Sequence, residues 1–327
     1  MNLPAANPRK DRAAAIAEGL KGRDFLVLAD FTAAELAHLL DLAAQLKALQ
    51  KEGRPFAPLA GKTLAMIFEK PSTRTRVSFE VGMAQLGGQA LFLSRSDLQL
   101  GRGETIGDTA RVLSRYVDAI MIRAYSHRHV VELARAATVP VINGLTDFAH
   151  PCQALADLLT LREAFGRLKG LKLAYVGDGN NVAHSLIVGA AKMGLDVAVA
   201  TPEQYAPHPA VMETARACAA EAGGSVTWTT DPAAAVSGAH AVYTDVWASM
   251  GQEDEAEARK AIFAPYQVNA DLMAKADPQA VFLHCLPAHR GEEVTDEVID
   301  GPQSVVFDQA ENRLHVQKAI LVALLGV

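Results

Sequence analysis

The chain has 327 residues, 50% of them apolar and 21% charged, with a net charge of −6. That length is too great for one ordinary core and suits two α/β domains. The negative balance excludes bulk attraction to nucleic acid or anionic lipid, so any anion site has to be built locally from particular arginines.

Met1 to Leu20 carries Asp11 and Glu18, lacks a continuous apolar stretch, and reads as a loose arm rather than a targeting peptide. Thr32-Ala-Ala-Glu35 is a capping box, continued by Leu36, Leu39, Leu40, Ala43 and Leu46 on one helical face. A loop through Gly53, Pro55 and Pro58 leads into an apolar strand, Thr63–Phe68. Pro71 bars easy helical geometry at the residue before it, and Ser72 and Thr73 are good caps for the helix that follows. Further strands are expected at 89–93, 119–123 and 139–143, with helices at 105–117 and 130–137. Residues 94–104 form a polar loop without a core face. Pro151 opens a long helix to Phe165. After Gly166–Gly170 a fresh series begins, with strands at 172–176, 196–200, 226–229, 241–244, 281–284 and 304–307. A final helix runs over 311–325. The alternation predicts two doubly wound parallel-sheet α/β domains joined by helices. No run approaches the roughly 20 apolar residues that span a bilayer.

Ligands of open α/β sheets bind beyond the carboxyl ends of strands, so strand ends are where chemistry is expected. Strand, short loop and helix start meet at Ser72-Thr73-Arg74-Thr75-Arg76, where amides, hydroxyls and an arginine make a phosphate site. Arg123 closes a buried strand and calls for an anion partner. His150-Pro151-Cys152-Gln153 stands at a helix start. Gly177-Asp178-Gly179-Asn180-Asn181 hints at dinucleotide binding, but Val182 stands where the third glycine belongs and no acidic residue closes the next strand. The paired asparagines suit a small polar substrate instead. Asp245 ends a strand ahead of Ser249-Met250-Gly251, poised for a cation, and Cys285 ends another within His284-Cys285-Leu286-Pro287. The three cysteines, Cys152, Cys218 and Cys285, are far apart and show no Cys-x-x-Cys spacing. This argues against a disulfide scaffold or structural zinc and fits a reducing cytoplasm.

Five of these motifs and a sixth before the closing helix, in order, resemble the aspartate/ornithine carbamoyltransferase family: Ser72–Arg76, His150–Gln153, Gly177–Asn181, Asp245 to Gly251, His284–Pro287 and Glu311-Asn312-Arg313. His-Cys-Leu-Pro points to the ornithine branch. Cys152, where several relatives have threonine, is a departure between two ligand positions. The resemblance implies transfer of the carbamoyl group of carbamoyl phosphate to the δ-amine of L-ornithine, giving L-citrulline and phosphate, with no metal and no organic cofactor. Putrescine or N-acetylornithine as acceptor is the alternative.

It implies a carbamoyl-phosphate domain over 1–165, an ornithine domain over 166–310, and a C-terminal helix, 311–327, packing back on the first. Carbamoyl phosphate would be held by Ser72, Thr73, Arg74, Thr75, Gln99, Arg123, His150, Gln153, Cys285, Leu286 and Arg313, with Gln99 reaching from a neighbouring subunit of a homotrimer. Ornithine would be held by Asn181, Asp245, Ser249 and Met250. Catalytic roles fall to Arg123 and His150, which polarise the carbonyl, and to Asp245 and Cys285, which hold and deprotonate the amine, Cys285 as thiolate or hydrogen-bond acceptor. Neither nucleic acid nor membrane is an implied partner, and the implied setting is cytoplasmic arginine biosynthesis.

Overall fold

The computed structural model describes residues 8–96, 98–99, 103–248 and 255–326. Two compact units emerge. One takes the chain up to Thr146 together with residues from Leu314 onward; the other runs from Asp147 to Arg313.

In the first unit, β1 (Thr63–Phe68), β2 (Gln89–Ser94), β3 (Ala119–Arg123) and β4 (Val141–Leu145) form a parallel sheet ordered β2-β1-β3-β4. The helices are α1 (Pro8–Leu20), α2 (Ala33–Lys51), α3 (Thr73–Gln85), α4 (Ile106–Leu113) and α5 (His127–Ala136). The Thr32–Glu35 capping box forms at α2. Strand β1 is fully buried apart from its first residue, and Ala65, Ile67, Ile120, Ile122, Val130 and Leu133 share one core. Each such large apolar side chain contributes ~1.5–3 kcal/mol over leaving it in water. Asp118 fixes the entry to the sheet, taking Lys62 Nζ at 2.8 Å and the Thr63 N–H at 2.8 Å. The edge of β4 is covered by Phe25, which exchanges backbone bonds with Val141 and Asn143. Leu98 packs on this core, so the loop after β2, expected to lack a core face, has one anchored side chain.

In the second unit, β5 (Lys172–Val176), β6 (Asp196–Ala200), β7 (Ser225–Thr229), β8 (Ala241–Thr244) and β9 (Val281–His284) form a parallel sheet ordered β7-β6-β5-β8-β9. Helices α6 (Pro151–Phe165), α7 (Asn181–Lys192), α8 (Pro209–Ala222), α9 (Pro232–Val236), α10 (Ala256–Phe263), α11 (Ala270–Met273) and α12 (Asp296–Ile299) surround it. The strand expected at 304–307 does not form. Phe282 exchanges backbone bonds with Gln303 and Val305, and the chain then turns into α13 (Val306–Leu325). The β-branched pair Val305-Val306 read as strand, but helix takes the backbone from Val306 on. The compact division falls before α6 rather than after it, and it cuts α13 after Arg313. Beyond that cut, Lys318 bonds Gln50 and Gln85 of the first unit at 2.6 and 3.0 Å.

Each sheet reverses its winding once. The reversal lies between β1 and β3 in the first and between β5 and β8 in the second. Those are the places where ligands of such sheets collect.

Candidate active site

The first unit's switch point carries the hydroxyl-rich helix start. Ser72 caps α3, its Oγ accepting the Thr75 N–H at 3.2 Å and donating to Thr75 Oγ1 at 3.1 Å. Thr75 is buried, Ser72 and Arg74 are half-buried and Thr73 is exposed. Arg76 serves the fold: it bonds Glu80 at 3.0 Å and lies 3.7 Å over the Phe92 ring. Beside this loop, Arg123 ends β3 and is buried. Glu69 ties the two strand ends together. Its N–H donates to the Arg123 carbonyl, one carboxylate oxygen accepts the Tyr125 N–H at 2.9 Å, and the other meets His129 Nδ1 at 3.0 Å. Glu69 was not singled out in the sequence; an acid at a strand end beside the cationic loop was its signal. Gln99 is exposed, while Asp97 and residues 100–102 lie outside the described residues.

In the second unit, His150 is buried at the head of α6, with Pro151 in its first turn and its N–H bonded to Ser185 Oγ at 2.8 Å. Gln153 and Arg313 meet: Arg313 Nη1 donates to Gln153 Oε1 at 2.8 Å. A residue absent from the candidates, Asp157, lies behind them. Its Oδ1 accepts Gln153 Nε2 at 2.8 Å and Gln309 Nε2 at 2.7 Å. Gln309 in turn accepts the His284 N–H at 2.9 Å, one residue before Cys285. Burial pushes the Asp157 carboxyl up to about 7 against the pull of these hydrogen bonds and of Arg313.

The second unit's switch point brings Asp245, Asn180 and Cys285 together. Asp245 is buried and accepts Asn180 Nδ2 at 2.8 Å and Cys285 Sγ at 3.0 Å. Burial, and the Asp245 charge beside it, push the Cys285 thiol well above its ordinary value. Cys285 therefore stands as an S–H donor. The neighbouring carboxylate opposes a second negative charge, which weighs against the expected thiolate. Leu286 follows in the left-handed region with φ of 57°, and its N–H donates to His284 Nδ1 at 2.9 Å. The other ring nitrogen of His284 meets buried Glu293 at 3.2 Å. Although Asp245, His284 and Cys285 are near enough to share a cation, both nitrogens of His284 are engaged. Two donors remain, fewer than a tetrahedral protein site uses.

Asn180, rather than Asn181, holds Asp245, and its Oδ1 also takes the Val182 and Ala183 N–H groups at 3.0 and 3.1 Å. Those are the amides a pyrophosphate would need. Gly179 is sealed too: its N–H bonds the Tyr205 carbonyl at 2.9 Å, and an added Cβ would come within 2.5 Å of that oxygen. The glycine turn is thus closed to a dinucleotide. Asp178, pushed up to about 6 by burial, is ion-paired with Arg259, which also donates to the Trp247 carbonyl. Ser249 and Met250 lie outside the described residues. Cys152 is buried, its thiol pushed up to about 12 by burial, and is inert.

Fold and site define a two-unit α/β enzyme whose candidate groups gather at the switch point of each parallel sheet, with the nucleotide reading closed off. The chain belongs to the aspartate/ornithine carbamoyltransferase family: the family's carbamoyl-P binding domain matches residues 23–163, and its Asp/Orn binding domain matches residues 169–324. It is 64% identical over 307 residues to the ornithine carbamoyltransferase of Pyrococcus abyssi, covering 94% of this chain and 97% of the relative. It is equally similar, at 64% over 307 residues, to the anabolic ornithine carbamoyltransferase of Pyrococcus furiosus, covering 94% of this chain and 98% of that one. The solved ornithine carbamoyltransferase structure from Pyrococcus furiosus superposes with a TM-score of 0.92 over 94% of this chain and 98% of that chain.

Proposed function

We propose that the chain is an ornithine carbamoyltransferase of arginine biosynthesis. It transfers the carbamoyl group of carbamoyl phosphate to the δ-amine of L-ornithine and releases L-citrulline and phosphate. The observation that carries this reading is the Asp245 pair with Cys285 and Asn180, a carboxylate held at a strand end to receive an amine, in a chain 64% identical to enzymes of that name.

On the first unit, Ser72, Thr73, Arg74 and Thr75 would hold the phosphate. The amides and dipole at the start of α3 favour the anion, and arginine adds charge-assisted bonds. Arg123 of that unit and His150 of the second would donate to the carbonyl oxygen as charge develops there. On the second unit, Gln153, Arg313 and the Cys285–Leu286 backbone would take the carbamoyl NH₂. Asn181, Ser249 and Met250 would take the α-amino acid end of ornithine. The δ-ammonium, with a pKa near that of lysine, about 10.4, would lie against Asp245 and lose its proton before attack. The phosphate would thus fall to the first unit, and ornithine together with the carbamoyl NH₂ to the second.

A homotrimer sharing active sites fits the surface of the first unit. Val77 and Val81 on α3 are exposed, as is Leu91 on the edge strand β2. Exposed apolar residues beside an open sheet edge mark a contact surface. Mixing Gln99→Ala with Arg74→Ala subunits tests it: activity should rise above the mean of the parents, and an unchanged mean after verified subunit exchange would remove the shared site. The three free cysteines suit a reducing cytoplasm. No helix among the described residues is long and apolar enough to cross a membrane.

The deciding experiment assays carbamoyl transfer to ornithine, putrescine and N-acetylornithine in parallel. Citrulline formation should dominate; faster turnover of either other amine would replace this reading.

A further inference from the structure

Asp157 lies in a stretch of α6, Pro151–Leu161, that is otherwise apolar or neutral and buried throughout. Its carboxylate is fully buried, as is Gln309; Gln153 is 1% exposed and Arg313 3%. An ionised carboxylate only accepts, and a guanidinium only donates. Gln153 is clasped between the two. Arg313 can only donate, so Oε1 of Gln153 faces it, and Nε2 faces Asp157, which accepts when ionised; both contacts are 2.8 Å. The same oxygen of Asp157 orients Gln309, so that Gln309 Oε1 faces the His284 N–H. One buried acid therefore holds the amino ends of two amides whose oxygens face Arg313 and the His284 N–H, and the second amide steadies the backbone that leads into Cys285 and Leu286. A carbonyl oxygen has two lone pairs, so Gln153 Oε1 can serve Arg313 and still accept from an amino group.

We infer that Asp157 is a positioning residue for donor-substrate selectivity: it holds Gln153 with its oxygen toward the ligand, so that the site recognises the –NH₂ of a carbamoyl phosphate and rejects an acyl phosphate with a methyl group there. This rests on the carbamoyl-phosphate reading given above. Asp157 touches no substrate itself.

The test measures binding of carbamoyl phosphate, acetyl phosphate and inorganic phosphate at pH 8 by equilibrium titration. The proteins are the full-length wild type, Asp157→Leu and Asp157→Asn. Leucine removes the acceptor, while asparagine keeps the volume but admits a donor and so a second amide direction. The ratio of carbamoyl to acetyl phosphate affinity should fall at least tenfold in Asp157→Leu and severalfold in Asp157→Asn. Inorganic phosphate affinity should stay within twofold, which a general loss of structure would not leave intact. Equal weakening of all three ligands, or an unchanged ratio, overturns the inference. If the leucine variant does not fold, an unchanged ratio in the asparagine variant overturns it alone. A wild type that makes citrulline yet shows no preference between the two acyl phosphates overturns this inference only. A wild type that makes none overturns the carbamoyl-phosphate reading, and this inference with it.

Discussion

Burial and the charge of Asp245, 3.0 Å away, oppose loss of the Cys285 proton. Deprotonating both would place two anions in a desolvated corner. On the function proposed above, an arriving ornithine ammonium would meet Asp245 as its counterion, with Cys285 donating the hydrogen bond that fixes the carboxylate. Serine can supply the same donor. Cys285→Ser should lower turnover by less than about tenfold, within the span of one hydrogen bond to a charged group. It should leave the shape of the pH–rate curve between pH 6 and 9 unaltered. Steady-state citrulline assays across that range check this, and loss of a titrating limb in the variant would return Cys285 to the role of a thiolate.

At the scale of elements, the turn from β5 into α7 does two jobs. Asn180 caps the helix and holds Asp245, and Gly179 lets the backbone of Tyr205–Pro207 close on it. Gly179→Ala should cost about 1–3 kcal/mol or more, the range for forcing atoms into a packed place. A lowered Tm should come with weakened ornithine binding, since the same turn anchors Asp245. A variant melting with the wild type would mean that the 205–207 segment yields freely. Much of this architecture was legible from sequence. Apolar runs such as Thr63–Phe68 and capping signals such as Ser72 are local, and local signals survive folding. What was not legible depends on partners far along the chain. Asp157 finds Gln309 across 152 positions, Arg259 finds Asp178 across 81, and neither has a neighbour in sequence that announces it. Asn180 and Asn181 are indistinguishable until α7 begins and one of them becomes its cap. Residues 304–307 have the residue types of a strand, but their pairing ends after two bonds to Phe282.

For the molecule as a whole, two buried acids set an unusual pH dependence. Asp157 and Asp178 have folded-state values raised to about 7 and about 6. The unfolded chain ionises them near the usual aspartate value, about 3.9. Between those limits the folded state binds more protons, so these groups make stability fall as pH rises from about 4 toward 7, and level out above it. For Asp157 the three units amount to about 4 kcal/mol at most. Asp157→Asn should flatten that slope in denaturant titrations between pH 4 and 7. An unchanged slope would show that the carboxyl ionises in the folded state as it does in the unfolded chain.

The division of the chain also sets an order of assembly. The unit from Asp147 to Arg313 is one uninterrupted stretch, whereas the other is made of a long early piece and a short late one starting at Leu314. A ribosome therefore delivers every residue of the second unit before the first unit has its last helix. Lys318, which bonds Gln50 and Gln85, is synthesised after all the strands of both sheets. Nascent chains stalled with residue 313 outside the exit tunnel should protect the 147–313 segment from protease while the first 146 residues remain cleavable. Full protection of both at that length would mean that the early piece reaches its native packing without the segment that completes it.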